Sequence, residues 1–170
     1  MKAACNSGPL IALAKISKID LLIDLFEVIL VPSAVYDEVV TEGLAKGEPD
    51  AFLLELMLKK QNFNVVPISQ TELLPSLKEL PLDHGEKHTI HLAIQEKADL
   101  ILLDDLKARE AAKTFGLKVK GSLGILVDAF RANLMNANEI KEAFDLLRKR
   151  HDIWIAENLI HKVWDALRRG

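Results

Sequence analysis

Basic charge is scarce in this chain: 22 lysines and arginines stand against 25 aspartates and glutamates, for a net charge of -3. A domain that embraces DNA or RNA broadly carries a basic excess, so any nucleic-acid contact here must be local. Arg148-Lys149-Arg150, Arg168-Arg169 and the pair Lys118 and Lys120 are the local candidates, although solvated helix ends also attract such residues. Cysteine is nearly missing as well. Cys5 stands alone, which excludes an intrachain disulfide and fits a reducing compartment, with the cytoplasm as the expectation. Long apolar runs are absent: no segment approaches the ~20 residues of a membrane span, and Asn6, Ser7, Gly8 and Pro9 interrupt the apolar opening before a signal peptide develops. There is no GxGxxG after a strand, no phosphate-binding GxxxxGK loop and no GxSxG elbow, so dinucleotide-binding, P-loop and serine-hydrolase readings lose their main support.

What is present is a globular chain of one domain's length, with 49% hydrophobic and 28% charged residues over 170 positions. Such a chain buries roughly two thirds of the surface its unfolded state exposes. Short apolar runs alternate with longer helical patterns, which predicts an α/β fold with a mostly parallel sheet of about five strands. The expected strands cover 2–5, 27–31, 63–68, 99–103 and 117–120, and the unalternating Ile101-Leu102-Leu103 run suits a strand covered on both faces. Helices are expected from the first turns marked by Pro9 and Pro32, and then over 50–60, 85–97, 106–115 and 122–133. Gly116 and Gly121 punctuate the turns, and 69–81 reads as an exposed connection with at most a short helix. Residues 133–170 form a helical extension packed on the core of 1–132, with Asn138 and Asp152 as candidate caps and Trp154 and Trp164 as packing anchors.

Acidic and amide side chains fall where strands end or helices begin, the place where open α/β sheets bind ligands. Asn6 follows the first strand and is either a helix cap or a ligand. Glu38 borders the stripe of Val35 and Val39, a costly place for a carboxylate without a cation or a donor, unless it reaches solvent along the rim. Glu86 shares a helix face with Ile90 and Ala93, while Asp83 and Glu86 also have capping-box spacing. Asp104 and Asp105 emerge together from the most apolar strand, and adjacent carboxylates repel unless screened. Hard oxygen donors of this kind suit Mg²⁺ or Mn²⁺ better than zinc. His84, His88 and His91 are a rival constellation, but HGEKH is not HExxH, and the three read mostly as surface or rim histidines.

The strings CNSGPLIALAKI, VPSAVYDEVV, LDHGEKHTIHLAIQEKADLILLDD and LKVKGSLGILVDA, in this order over residues 2–132, resemble the PIN-like domains, in particular a prokaryotic subfamily related to the toxins of toxin-antitoxin pairs. The resemblance implies a three-layer α/β/α fold, an acidic pocket for Mg²⁺ or Mn²⁺, and endoribonuclease activity. It puts Asn6 in place of the usual first aspartate, aligns Glu38, Glu86 and the Asp104-Asp105 pair with the acidic positions, and sets Ser122 where a small hydroxyl residue lines the pocket. It further implies a small antitoxin partner; single-stranded RNA is the expected substrate, and a homodimer is expected because the apolar helices need cover. Because Asn6 brings oxygen without charge, the alternative is a catalytically weak or inactive module that binds RNA or a protein. A phosphoacceptor domain is disfavoured, since that pattern places an acidic pair after the first strand.

Overall fold

In a computed structural model, which describes residues 1–153 and 155–169, five strands form one all-parallel sheet in the order β3-β2-β1-β4-β5. They are β1 (Lys2–Cys5), β2 (Val28–Pro32), β3 (Phe63–Val66), β4 (Leu100–Leu102) and β5 (Val119–Lys120). In register, Ala3 lies between Ile29 of β2 and Leu100 of β4. Parallel strands need crossovers, and here helices supply them on both faces. Successive side chains point to opposite faces, so Ala3 and Cys5 join an apolar cluster with Leu10, Leu13, Leu54, Ile125 and Leu126, whereas Ala4 joins another with Ile90, Ala93, Ala108 and Ala112. Two cores on two sides of one sheet make the three-layer α/β/α arrangement that the alternating pattern predicts. The central strand carries small residues because helices press on both of its faces.

The helices are α1 (Ser7–Lys15), α2 (Leu21–Leu25), α3 (Ser33–Tyr36), a wider π-helical turn (Asp37–Glu42), α4 (Gly43–Ala45), α5 (Pro49–Leu58), α6 (Pro75–Lys78), α7 (His84–Gln95), α8 (Leu106–Thr114), α9 (Ser122–Arg131), α10 (Ala137–Lys149) and α11 (Glu157–Arg169). Helix α8 ends at Gly116, whose φ of +76° only glycine adopts without strain. Pro32 departs from expectation: it closes β2 opposite Val66 and caps α3 instead of lying in the helix's first turn. The connection before α7 is less exposed than its prolines suggest, because Ile68, Leu73 and Leu77 are buried in the second core.

The C-terminal caps also differ from expectation. Asn136, not Asn138, caps α10, accepting from the amides of Asn138 and Glu139 while Glu139 reaches back to the Asn136 amide. Among the described residues, Asp152 accepts no capping bond from a helix amide. It pairs with Arg150 and with Lys15 of α1, which also holds Asp50 of α5 at 3.1 Å, so this carboxylate ties the C-terminal segment to the core. Trp164 stands edge-on to Phe144 with ring centres 6.0 Å apart, the packing role expected of it; Trp154 lies outside the described residues. Among the described residues, no helix is long and apolar enough to cross a membrane.

Candidate active site

The sheet order places a topological switch point between β1 and β4: from β1 the chain first builds outward through β2 and β3, then returns to the other side. Open α/β sheets bind their ligands beyond the carboxyl ends of two such strands. Asn6 leaves β1 there, its amide donating to the Leu102 carbonyl at 3.1 Å. It occupies the cap position of α1, yet its side chain makes no capping bond. The buried amide oxygen instead lies 3.3 Å from the Thr89 hydroxyl, whose shorter bond, 2.7 Å, goes to the Gly85 carbonyl. Between a helix cap and an uncommitted oxygen donor, the side chain is therefore nearer to the second.

Gly85 explains the space around it. A methyl group on this residue would sit 3.3 Å from Asn6 Oδ1, 3.3 Å from Glu38 Oε2 and 3.4 Å from Val35. Two oxygens from separate elements thus face one glycine on α7. Glu38 is exposed while Val35 and Val39 beside it are buried, and its Oε2 reaches the Gly85 position from the rim. Burial raises its pKa above the ordinary range; the Ser7 hydroxyl opposes this, and Asp83 and Glu42 add to it.

Glu86 is buried and completes a capping box: its Oε2 accepts from the Asp83 amide at 2.9 Å, and Asp83 Oδ1 accepts from the Glu86 amide at 2.7 Å. Its pKa is also raised, first by burial; the bond from the Asp83 amide opposes the rise, and the charges of Asp83, Asp105 and Glu38 reinforce it. Those last two influences tie Glu86 electrostatically to both other acidic positions. Asp104 and Asp105 diverge at the end of β4. Asp105 is exposed and caps α8 through the Ala108 amide at 2.9 Å. Asp104 turns inward, accepting from the Ser122 amide at 2.7 Å and the Ser122 hydroxyl at 2.6 Å. Burial raises the pKa of Asp104 against the pull of those two bonds and of Arg109. Ser122 is wholly buried, and the positions of Asp104 and Gly8 put this aspartate beside the start of α1: a methyl on Gly8 would meet Asp104 Cβ at 3.3 Å.

Asn6 and Glu38 therefore meet at Gly85, next to Glu86 at the start of α7, and Asp104 with Ser122 lies beside Gly8 at the start of α1. Among the described residues, no three His, Cys, Asp or Glu side chains close into a metal cage. The donors nevertheless fit Mg²⁺ or Mn²⁺ by chemistry, being all oxygen. The glycine cradle between Asn6 and Glu38 points the same way, as do three carboxyls whose pKa values all rise, a cost that a cation reverses.

Elsewhere two expectations change. His88 and His91 are buried, not on the rim, because the 68–77 segment covers their face of α7. His88 Nε2 meets Gln70 and His91 Nε2 meets Gln95, and neither Nδ1 atom has a partner among the described residues. Of the basic candidates, Arg148 pairs with Asp145, Arg150 with Asp152 and Lys120 with Asp128. Gly85 and Thr89 are not marked by the sequence pattern; the one signal is a glycine inside the first turn of a helix, where it is disfavoured.

A family model described as a PIN domain (DUF3368) matches residues 2–169. No curated protein matches the chain.

Proposed function

The chain belongs to the PIN-domain family, and from that premise we propose that it is a metal-dependent endoribonuclease that hydrolyses phosphodiester bonds of single-stranded RNA. The observation that carries the reading is the cradle at Gly85, where Asn6 and Glu38 bring oxygens to one point beside the buried Glu86. Glu38, Glu86, Asp104 and Asp105 would hold Mg²⁺ or Mn²⁺, and Asn6 would orient a ligand or a water. A cation so held positions a water, lowers its pKa and neutralises charge building on a phosphodiester. The chain's own part is to keep donors fixed: Ser122 holds Asp104 with two bonds, and the capping box holds Glu86 in one rotamer.

Purified protein is expected to cut single-stranded RNA only with added Mg²⁺ or Mn²⁺. Glu38→Ala and Asp104→Ala proteins that cut as well as the parent would end the assignment. A toxin-type role, with a small antitoxin filling the crevice and a homodimer as the working unit, extends the same proposal. Asn6 supplies no charge and the carboxylates do not close into a cage among the described residues, which favours a second reading: a module that binds RNA or a protein without turnover. Tight Mn²⁺ binding accompanied by RNA turnover excludes that reading.

A further inference from the structure

Gly121, between β5 and α9, has an extended backbone (φ -103°, ψ 179°) that any residue adopts, so conformation does not require glycine there. Space does. A methyl on Gly121 would lie 2.5 Å from Arg109 Nη1, 2.8 Å from Asp104 Oδ1 and 3.2 Å from the Leu103 carbonyl oxygen. Three groups from the β4 exit and from α8 thus converge on one backbone position that leads into α9. Arg109 Nη1 donates to the Leu103 carbonyl at 3.1 Å, the residue immediately before Asp104, and the guanidinium comes to within reach of the same point as Asp104 Oδ1 without forming an ion pair with it. On the other side, Ser122 holds both Asp104 oxygens.

We propose that Arg109 is a positioning residue of the acidic crevice: packed against Gly121 and bonded to Leu103, it fixes the turn at the end of β4 so that Asp104 faces Ser122 while Asp105 turns to cap α8. What this turn serves rests on the function proposed above, but the turn itself does not. A guanidinium is suited to the task, because its planar fork is preorganised and always charged. Its bond to Leu103 holds the backbone, and its charge stands beside a carboxylate that would otherwise be buried without a cation nearby.

The test reads the turn directly, in metal-free full-length protein. The Ser122 amide, bonded to Asp104 at the first position of α9, is followed by hydrogen exchange in the parent, Arg109→Ala, Arg109→Lys and Gly121→Ala proteins, with the amide of Leu126 deeper in α9 as the internal reference. Losing a bond to a charged acceptor speeds local exchange by roughly tenfold or more. The expected result is that Arg109→Ala and Gly121→Ala accelerate Ser122 relative to Leu126 by about that factor, and that Arg109→Lys, which keeps a donor and a charge, recovers most of the protection. Equal acceleration of both amides, or none at Ser122, overturns the proposal. Mn²⁺ titration and RNA cleavage of the same proteins separate the two claims. If the parent binds no Mn²⁺, the function falls while the exchange data still judge Arg109. If Arg109→Ala keeps its turnover number and loses RNA affinity, with a salt slope reduced by about one, Arg109 contacts the strand and the positioning role is wrong.

Discussion

Replacing Gly85 by alanine separates folding from function more cleanly than removing any carboxylate. Gly85 is the second residue of α7 and has no positive φ, so alanine is compatible with its backbone and gains up to ~1 kcal/mol of helix propensity. Against this stands the new methyl, 3.3 Å from Asn6 Oδ1 and from Glu38 Oε2 and 3.4 Å from Val35. The two oxygen contacts are up to a few tenths of an ångström too close while Val35 stands at ordinary contact, and both oxygens are side-chain ends that can give way, at a cost of about 1 kcal/mol, the low end for overpacking. The two effects nearly cancel, so the melting temperature in EDTA should move by no more than about 4 °C for a chain of this size. The crevice is affected differently. The methyl fills the space the two oxygens face and pushes Glu38 outward, so Mn²⁺ affinity measured by calorimetry should fall at least tenfold, equivalent to ~1.4 kcal/mol, and RNA cleavage should fall with it. Parental Mn²⁺ affinity in a folded Gly85→Ala protein would refute the assignment of this space to the ion. A loss of ten degrees or more would refute the packing argument.

Asn6→Asp restores a charge that the resemblance places at this position. Because the introduced carboxylate and Glu38 would face each other across Gly85, the metal-free protein should melt lower and Mn²⁺ should more than restore it, with affinity rising about tenfold for an added anionic ligand; unchanged affinity would mean that residue 6 does not reach the ion. Acid titration tests the buried histidine. Burial, with smaller contributions from His84 and His91, lowers the His88 pKa from 6.5 to about 4. The folded state therefore binds this proton more weakly than the unfolded state, the contribution to stability is complete above pH 6.5, and it is lost progressively as pH falls toward 4. Denaturant melts across that window should flatten in His88→Gln, and an identical pH slope in both proteins would show that His88 does not contribute.

The strands are readable because a buried parallel strand announces itself as a short unbroken apolar run, as at Ile101-Leu102-Leu103, and the crossover helices because their apolar spacing is local. What escapes is decided at a distance. Helix α2 is one turn and a half of LLIDL with no side-chain cap, and its formation depends on Leu21 and Leu22 reaching the first core. The burial of His88 and His91 depends on Ile68, Leu73 and Leu77 folding over them, a contact no helical periodicity reports. Asp152 has the composition of a cap, but a lysine 137 positions earlier claims it. Asn138 differs in kind, because the signal there is local: Asn136 and Glu139 have capping-box spacing in the sequence itself, and that reciprocal pair outweighs a lone asparagine two residues on.

For the acidic positions, the sequence poses a choice between capping a helix and holding an ion, and the geometry leaves room for both. A carboxylate has two oxygens and about four lone-pair directions. Glu86 spends Oε2 on the Asp83 amide and Asp105 spends Oδ1 on the Ala108 amide, while Glu86 Oε1 and Asp105 Oδ2 accept no protein hydrogen bond among the described residues. The capping bonds do more than stabilise α7 and α8: each fixes the rotamer of its side chain and so aims the remaining oxygen. Asn6 follows the same logic from the opposite side, standing at a cap position but leaving its side chain uncommitted to the cap. Glu86 is held by its capping bond and Asp104 by Ser122, and burial raises the pKa of both, as it does that of Glu38; a cation at the free oxygens, as proposed above, would offset that cost.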